Sequence, residues 1–112
     1  MALPHYGPGE VIDARPLGSA LAESKTHMLA KTEDVEILRL VLPAGKELPM
    51  HVAPGVLVVQ CLEGRVAFTA FGKTADLEPG RLVYLPPKEP HAVRAVEPSS
   101  LLVTILRRTG EA

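Results

Sequence analysis

The chain has 112 residues, with 12 Lys+Arg against 13 Asp+Glu and a 46% hydrophobic content. That length and balance describe one globular domain, and a formal net charge of -1 excludes the basic field that a nucleic-acid partner needs. No apolar run approaches the ~20 residues of a membrane span, so no membrane partner is expected.

The run from Met1 to Pro8 offers neither a basic n-region nor an apolar h-region, so no signal peptide is expected and a cytoplasmic location is the default. The single cysteine, Cys61, excludes an intrachain disulfide. The chain has 11 prolines, no Asn and one Gln, Gln60. Such a composition fits a thermostable protein, and the codon bias of a GC-rich genome gives the same signature, so both readings stay open.

Residues 1–24 read as an N-terminal arm, because Pro4, Gly7, Pro8, Gly9, Pro16 and Gly18 interrupt any regular element. Only a short strand at Val11–Ile12 and a helical turn over residues 19–24 are expected there. Residues 25–112 read as one barrel domain. Period-two patterning and short apolar runs predict strands over 26–31, 35–42, 47–52, 56–62, 65–71, 73–77, 82–85, 91–96 and 101–107.

Turn chemistry separates these strands. Thr32-Glu33-Asp34 divides the first pair, and Pro43-Ala44-Gly45-Lys46 ends the second strand. Glu63-Gly64 reads as a two-residue hairpin. Glu78-Pro79-Gly80-Arg81 carries Pro and Gly at the central positions of a type II turn. The run from Pro86 to Pro90 is a rigid corner that no sheet interior accepts. Short strands with turns at this spacing indicate an all-β sandwich or barrel. Val56–Val59 and the segment 35–42 are apolar on both faces, although one face of an antiparallel sheet usually stays wet. A covering layer is therefore expected, and a homodimer would supply it.

Two groups of residues keep a register that resembles a known family. Gly45, His51, Ala53, Leu57 and Gly64 follow G-x5-H-x-A-x3-L-x6-G, and Gly80, Pro86, His91 and Ala95 follow G-x5-P-x4-H-x3-A. Together they resemble the two motifs of small single-domain cupins of the RmlC-like type. The resemblance covers roughly Val35 to Leu106 and implies a cupin-type jelly-roll β-barrel, usually a homodimer, with a pocket inside. It also implies a metal site of two His and one Glu from the first motif and one His from the second. His51 and His91 match two of these ligands. Ala53 stands at the second His position, Leu57 at the Glu position, Lys88 at a glycine position and Ala95 at an Asn position.

Elementary distances do not restore the missing ligands. Transition metals want three or more protein donors at ~2.0–2.3 Å. Cys61 shares the parity of Leu57 but lies four residues on, about 13 Å along a strand. Glu47 is equally far from His51, and Gln60 has the opposite parity. His5 and His27 are further candidate imidazoles for the mouth, from the N-terminal side. His51 and His91 therefore read in three ways: as remnants hydrogen-bonded in a polar pocket, as two ligands of a weakly bound divalent transition metal, or as a metal-free acid/base pair. Ala53 and Leu57 make the pocket wall apolar. Cys61 reads as a small buried hydrophobe. Glu63, Arg65 and the Arg107-Arg108 pair read as solvated, and Lys88-Glu89 as an exposed corner.

Three functions remain in view. The first is a module binding a small-molecule ligand through His51, His91, Ala53 and Leu57. The second is a metal-dependent enzyme of dioxygenase, isomerase or decarboxylase type built on His51 and His91. The third is a structural or sensory oligomer.

Overall fold

A computed structural model describes residues 5–107. Nine strands form among them: β1 (His27–Lys31), β2 (Val35–Leu42), β3 (Glu47–His51), β4 (Val56–Glu63), β5 (Val66–Ala70), β6 (Lys73–Leu77), β7 (Leu82–Leu85), β8 (His91–Ala95) and β9 (Ser99–Leu106). Each expected strand forms, with ends displaced by at most two residues. All pairings are antiparallel. Among the described residues no helix is long and apolar enough to cross a membrane.

The strands make a five-stranded sheet of order β1-β2-β9-β4-β7 and a four-stranded sheet of order β3-β8-β5-β6. The jelly-roll arrangement is as expected, but the barrel is not closed. No strand of one sheet pairs with a strand of the other, so the two layers are joined by side-chain packing and corners. Alternation builds the core. Leu57, Val59 and Cys61 of β4 are 3%, 3% and 0% exposed, and they meet Leu101 and Val103 of β9, Phe68 of β5 and Val93 of β8 in one cluster.

Glu63-Gly64 is not a hairpin. β4 pairs with β7 and β9, whereas β5 pairs with β6 and β8, so this dipeptide carries the chain from one sheet to the other. Gly64 does adopt φ 84°, and a Cβ there would meet the Pro98 carbonyl oxygen at 2.2 Å. Turn chemistry identifies the positive φ but not which sheet receives the next strand. The two-residue hairpin lies instead between β5 and β6, at Phe71-Gly72, where both residues have positive φ. Glu78–Arg81 forms the expected turn, with the Arg81 N–H donating to the Glu78 carbonyl at 2.9 Å and Gly80 at φ 92°.

The N-terminal segment has no strand at Val11–Ile12, and Val11 is 89% exposed. Residues Gly18–Glu23 wind into a 3-10 helix that buries no side chain. The segment is held by polar contacts on the outer face of the five-stranded sheet. Arg39, 3% exposed, donates to the carbonyls of Asp13 (3.3 Å) and Arg15 (3.0 Å) and to Ser100 Oγ (3.4 Å). The β4–β9 register slips after Cys61 so that Glu63 faces Ser100. Its carboxylate accepts from the Leu17 N–H (2.9 Å), the Gly18 N–H (3.1 Å) and Ser100 Oγ (2.6 Å).

Three surface expectations change as a result. Glu63 is bonded and not solvated. Arg65 is half-buried, with its Nε enclosed. Arg107 pairs with Glu36, which is 7% exposed, and Arg108 lies outside the described residues. The chain itself thus supplies part of the layer that covers β2.

Candidate functional site

The β3–β8 ladder explains how two distant histidines meet. Glu47 pairs with Arg94 and Leu48 with Val93, the register then slips, and pairing resumes at His51–His91. In unbroken register Met50 would face His91, and His51 would point outward. Pro49 has no N–H to continue the ladder, and the resulting bulge turns His51 to the inner face, a use that bulges often serve beside functional sites.

The two imidazoles have centroids 4.2 Å apart and planes tilted by 59°. Phe68 stacks against His91 at 5.8 Å and 10°. His91 is 4% exposed, whereas His51 is exposed at the mouth. Each ring is anchored in the same way, two residues back along its own chain. His51 Nδ1 donates to the Pro49 carbonyl at 2.9 Å, and His91 Nδ1 to the Glu89 carbonyl at 3.0 Å. A carbonyl only accepts, so Nδ1 carries a proton in each ring and Nε2 is the atom left without a partner among the described residues. Burial pushes the His91 pKa below its ordinary value of 6.5. The bond to Glu89 works against that shift, and the neighbouring His51 adds to it.

Between the sheets lies a cavity of about 230 Å³. Apart from the two histidines, every side chain lining it is apolar, including Ala53, Leu57, Phe68 and Leu101. A dry apolar cavity of roughly 150 Å³ holds a benzene ring, so this volume suits one ring with a small substituent. Ala53 and Leu57 are 7% and 3% exposed and form wall, as their apolar character requires. The Lys88 N–H donates to the Ala53 carbonyl at 3.0 Å and ties the Pro86–Pro90 corner to that wall. Lys88 holds φ 66°, which is the left-handed conformation of the glycine expected there.

The side chains present do not fit the family's metal site. Among the described residues no group of three or more His, Cys, Asp or Glu gathers closely enough to hold an ion. Hydrocarbon from Ala53 and Leu57 fills two ligand positions. Cys61 Sγ donates to the carbonyls of Glu63 (3.5 Å) and Gly64 (3.8 Å), and burial pushes its thiol pKa up. Neither His5 nor His27 lines the cavity. His27 opens β1 and bonds to the Lys25 carbonyl at 3.2 Å.

One lining residue, Phe68, is not evident from motif spacing. Phe68 could be found from its parity with Val66 on β5, since both face the core.

Two facing antiparallel sheets with a histidine pair at the mouth of an apolar cavity define a small jelly-roll protein. Residues 38–105 match the model of the Cupin domain family, and the chain belongs to that family. Solved structures agree on the fold. A cupin superfamily protein from Desulfitobacterium hafniense superposes with a TM-score of 0.73 at 19% identity, over 88% of this chain and 95% of that one. An RmlC-like cupin from Desulfovibrio desulfuricans gives 0.72 at 26% identity, over 88% and 98%. A DMSP lyase from Ruegeria pomeroyi gives 0.68 at 25% identity, over 88% of this chain and 55% of the lyase. No curated protein matches the chain.

Proposed function

We propose that this cupin binds a small organic molecule between its two sheets, with an apolar body set against Leu57 and Ala53 and an acidic group meeting His51 and His91. The observation that carries this reading is the pair of free Nε2 atoms at the mouth of an otherwise apolar cavity. Such a site supplies orientation through few polar groups and affinity through apolar contact. A neutral Nε2 accepts a proton or a hydrogen bond, so carboxylic and phenolic groups suit it. Binding an anion stabilises the imidazolium and takes up a proton. Affinity therefore rises as pH falls towards 6.

Calorimetry with benzoate from pH 5.5 to 8 tests the reading. His51→Ala should weaken binding by about 1–3 kcal/mol, the penalty for a lost buried partner. If affinity changes neither with pH nor with this substitution, the histidines are structural remnants.

A second reading, a metal-dependent enzyme, has one specific observation behind it. Metal-ligating histidines also give their other ring N–H to a carbonyl, and both rings here do so. With two donors a divalent ion would be held weakly, and elemental analysis of the purified protein separates the two readings. The assembly we propose is a cytosolic homodimer formed through the uncovered part of the outer sheet face. There Leu82, Tyr84 and Leu106 are 55%, 75% and 43% exposed.

A further inference from the structure

We propose that Phe68 makes this cavity selective for planar aromatic acids. The ligand class is a single-ring arylcarboxylate, whose ring lies against Phe68 while its carboxylate meets His51 and His91. This inference rests on the binding reading above and goes further by naming the wall that reads the ligand's shape and the residue that does so.

The two walls of the cavity differ in kind. Strands β2, β4 and β9 of the five-stranded sheet contribute only Leu, Val and Ile to its lining. All three aromatic rings of the lining, His51, His91 and Phe68, come from the four-stranded sheet, one each from the neighbouring strands β3, β8 and β5. Register explains the grouping. Ala70 pairs with His91 and Phe68 with Val93, so Phe68 stands on the same inner face, two residues further along β5.

The rings form a series that runs inward from the mouth. His51 is exposed, whereas His91 and Phe68 are 4% and 3% exposed. His51 and His91 are 4.2 Å apart and tilted, and His91 and Phe68 are 5.8 Å apart and only 10° from parallel. His91 is therefore fixed twice, by its Nδ1 bond to the Glu89 carbonyl and by its stack on Phe68.

Core filling alone does not call for an aromatic ring at this position. Phe68 is the one aromatic side chain in the main core cluster, whose other members are Leu, Val, Ala and Cys. A ligand ring seated between the sheets meets aromatic carbon on one side and branched aliphatic side chains on the other. A flat ring can form an aromatic pair with Phe68, which adds to the area it buries. A saturated ring gains only the buried area. The imidazoles at the mouth then place the carboxylate at the outer end of the series.

The test compares benzoate with cyclohexanecarboxylate, which carries the same carboxylate on a thicker, saturated ring, by calorimetry at neutral pH. Wild type should prefer benzoate by about three- to tenfold, the range that an aromatic pair contributes. Phe68→Leu should bring the two affinities together. Leu40→Ala, which widens the cavity from the aliphatic wall, should move both affinities alike and keep their ratio. A residue that only fills the core would also move both alike when replaced, so the ratio separates selection from packing. In NMR of the wild-type complex, the ring protons of benzoate should show through-space contact with those of Phe68, which keeps the inference testable if Phe68→Leu does not fold.

Equal affinity of wild type for the two compounds, with His51→Ala still weakening both, would overturn this inference and leave the binding reading standing. So would a ratio that Phe68→Leu does not change, a ratio that Leu40→Ala changes as much, or a benzoate complex without contact to Phe68. Failure of wild type to bind either compound would overturn both.

Discussion

Installing the missing ligands, with Ala53→His and Leu57→Glu, gives the most direct account of what the apolar wall does. Leu57 is 3% exposed and packs in the main core. Its loss alone should cost about 2–5 kcal/mol, the usual range for a core leucine. A glutamate in its place is also stripped of water, so the metal-free variant should be less stable than wild type by at least that amount. Four donors would then surround the point that two now face, and a structural ion binds such a set tightly. A ligand at one hundred times its dissociation constant adds about 2.7 kcal/mol, which in a domain near this size corresponds to roughly 10 °C or more. The assay is thermal unfolding of both proteins with and without Zn²⁺ or Ni²⁺, with elemental analysis of each. The double variant should melt well below wild type without metal and recover most of the difference with it, while wild type should hold substoichiometric metal. Tight stoichiometric metal in the wild type would refute this reasoning and favour the enzyme reading.

Other consequences follow from the same contacts. The His91 pKa is depressed in the fold, so below about pH 6.5 the unfolded chain binds the proton more readily than the native one. Stability should be complete above that pH and fall as the pH drops through the native value. Urea midpoints from pH 8 to 5 should show this loss, and His91→Gln should flatten it. Glu63→Ala removes an acceptor shared by Leu17, Gly18 and Ser100 and should cost about 2–3 kcal/mol, as for bonds to a charged group. Proteolysis at Arg15 should accelerate in that variant. Light scattering at micromolar concentration should give twice the 12.0 kDa chain mass, and a monomer would reject the homodimer.

Much of the fold is legible in the sequence because the inner face demands alternation. Leu57, Val59 and Cys61 can be placed inside by parity alone, and His51 and His91 can be brought together by motif spacing. What the sequence hides depends on register and on partners distant in the chain. Parity alone does not show that β3 slips at Pro49–Met50 to turn His51 inward. Nor does it show that β4 slips to carry Glu63 outward to Ser100. Arg39 looks like a solvent-facing residue of β2, yet it is buried because the N-terminal segment lies over it. The β5–β6 turn stays hidden for a different reason: the left-handed conformation of Phe71 contradicts its residue type, whereas that of Lys88 follows from the glycine position it occupies.

The central claim is that His51 and His91 present free Nε2 atoms to an acidic ligand. ¹⁵N NMR of the imidazoles at pH 6.5, with and without benzoate, tests it most directly. Without ligand, the His91 signals should report a neutral ring protonated on Nδ1, and benzoate should move Nε2 to a protonated shift, more strongly at pH 6 than at pH 8. Imidazole signals that stay unmoved at saturating benzoate, or a free His91 protonated on Nε2, would contradict the account.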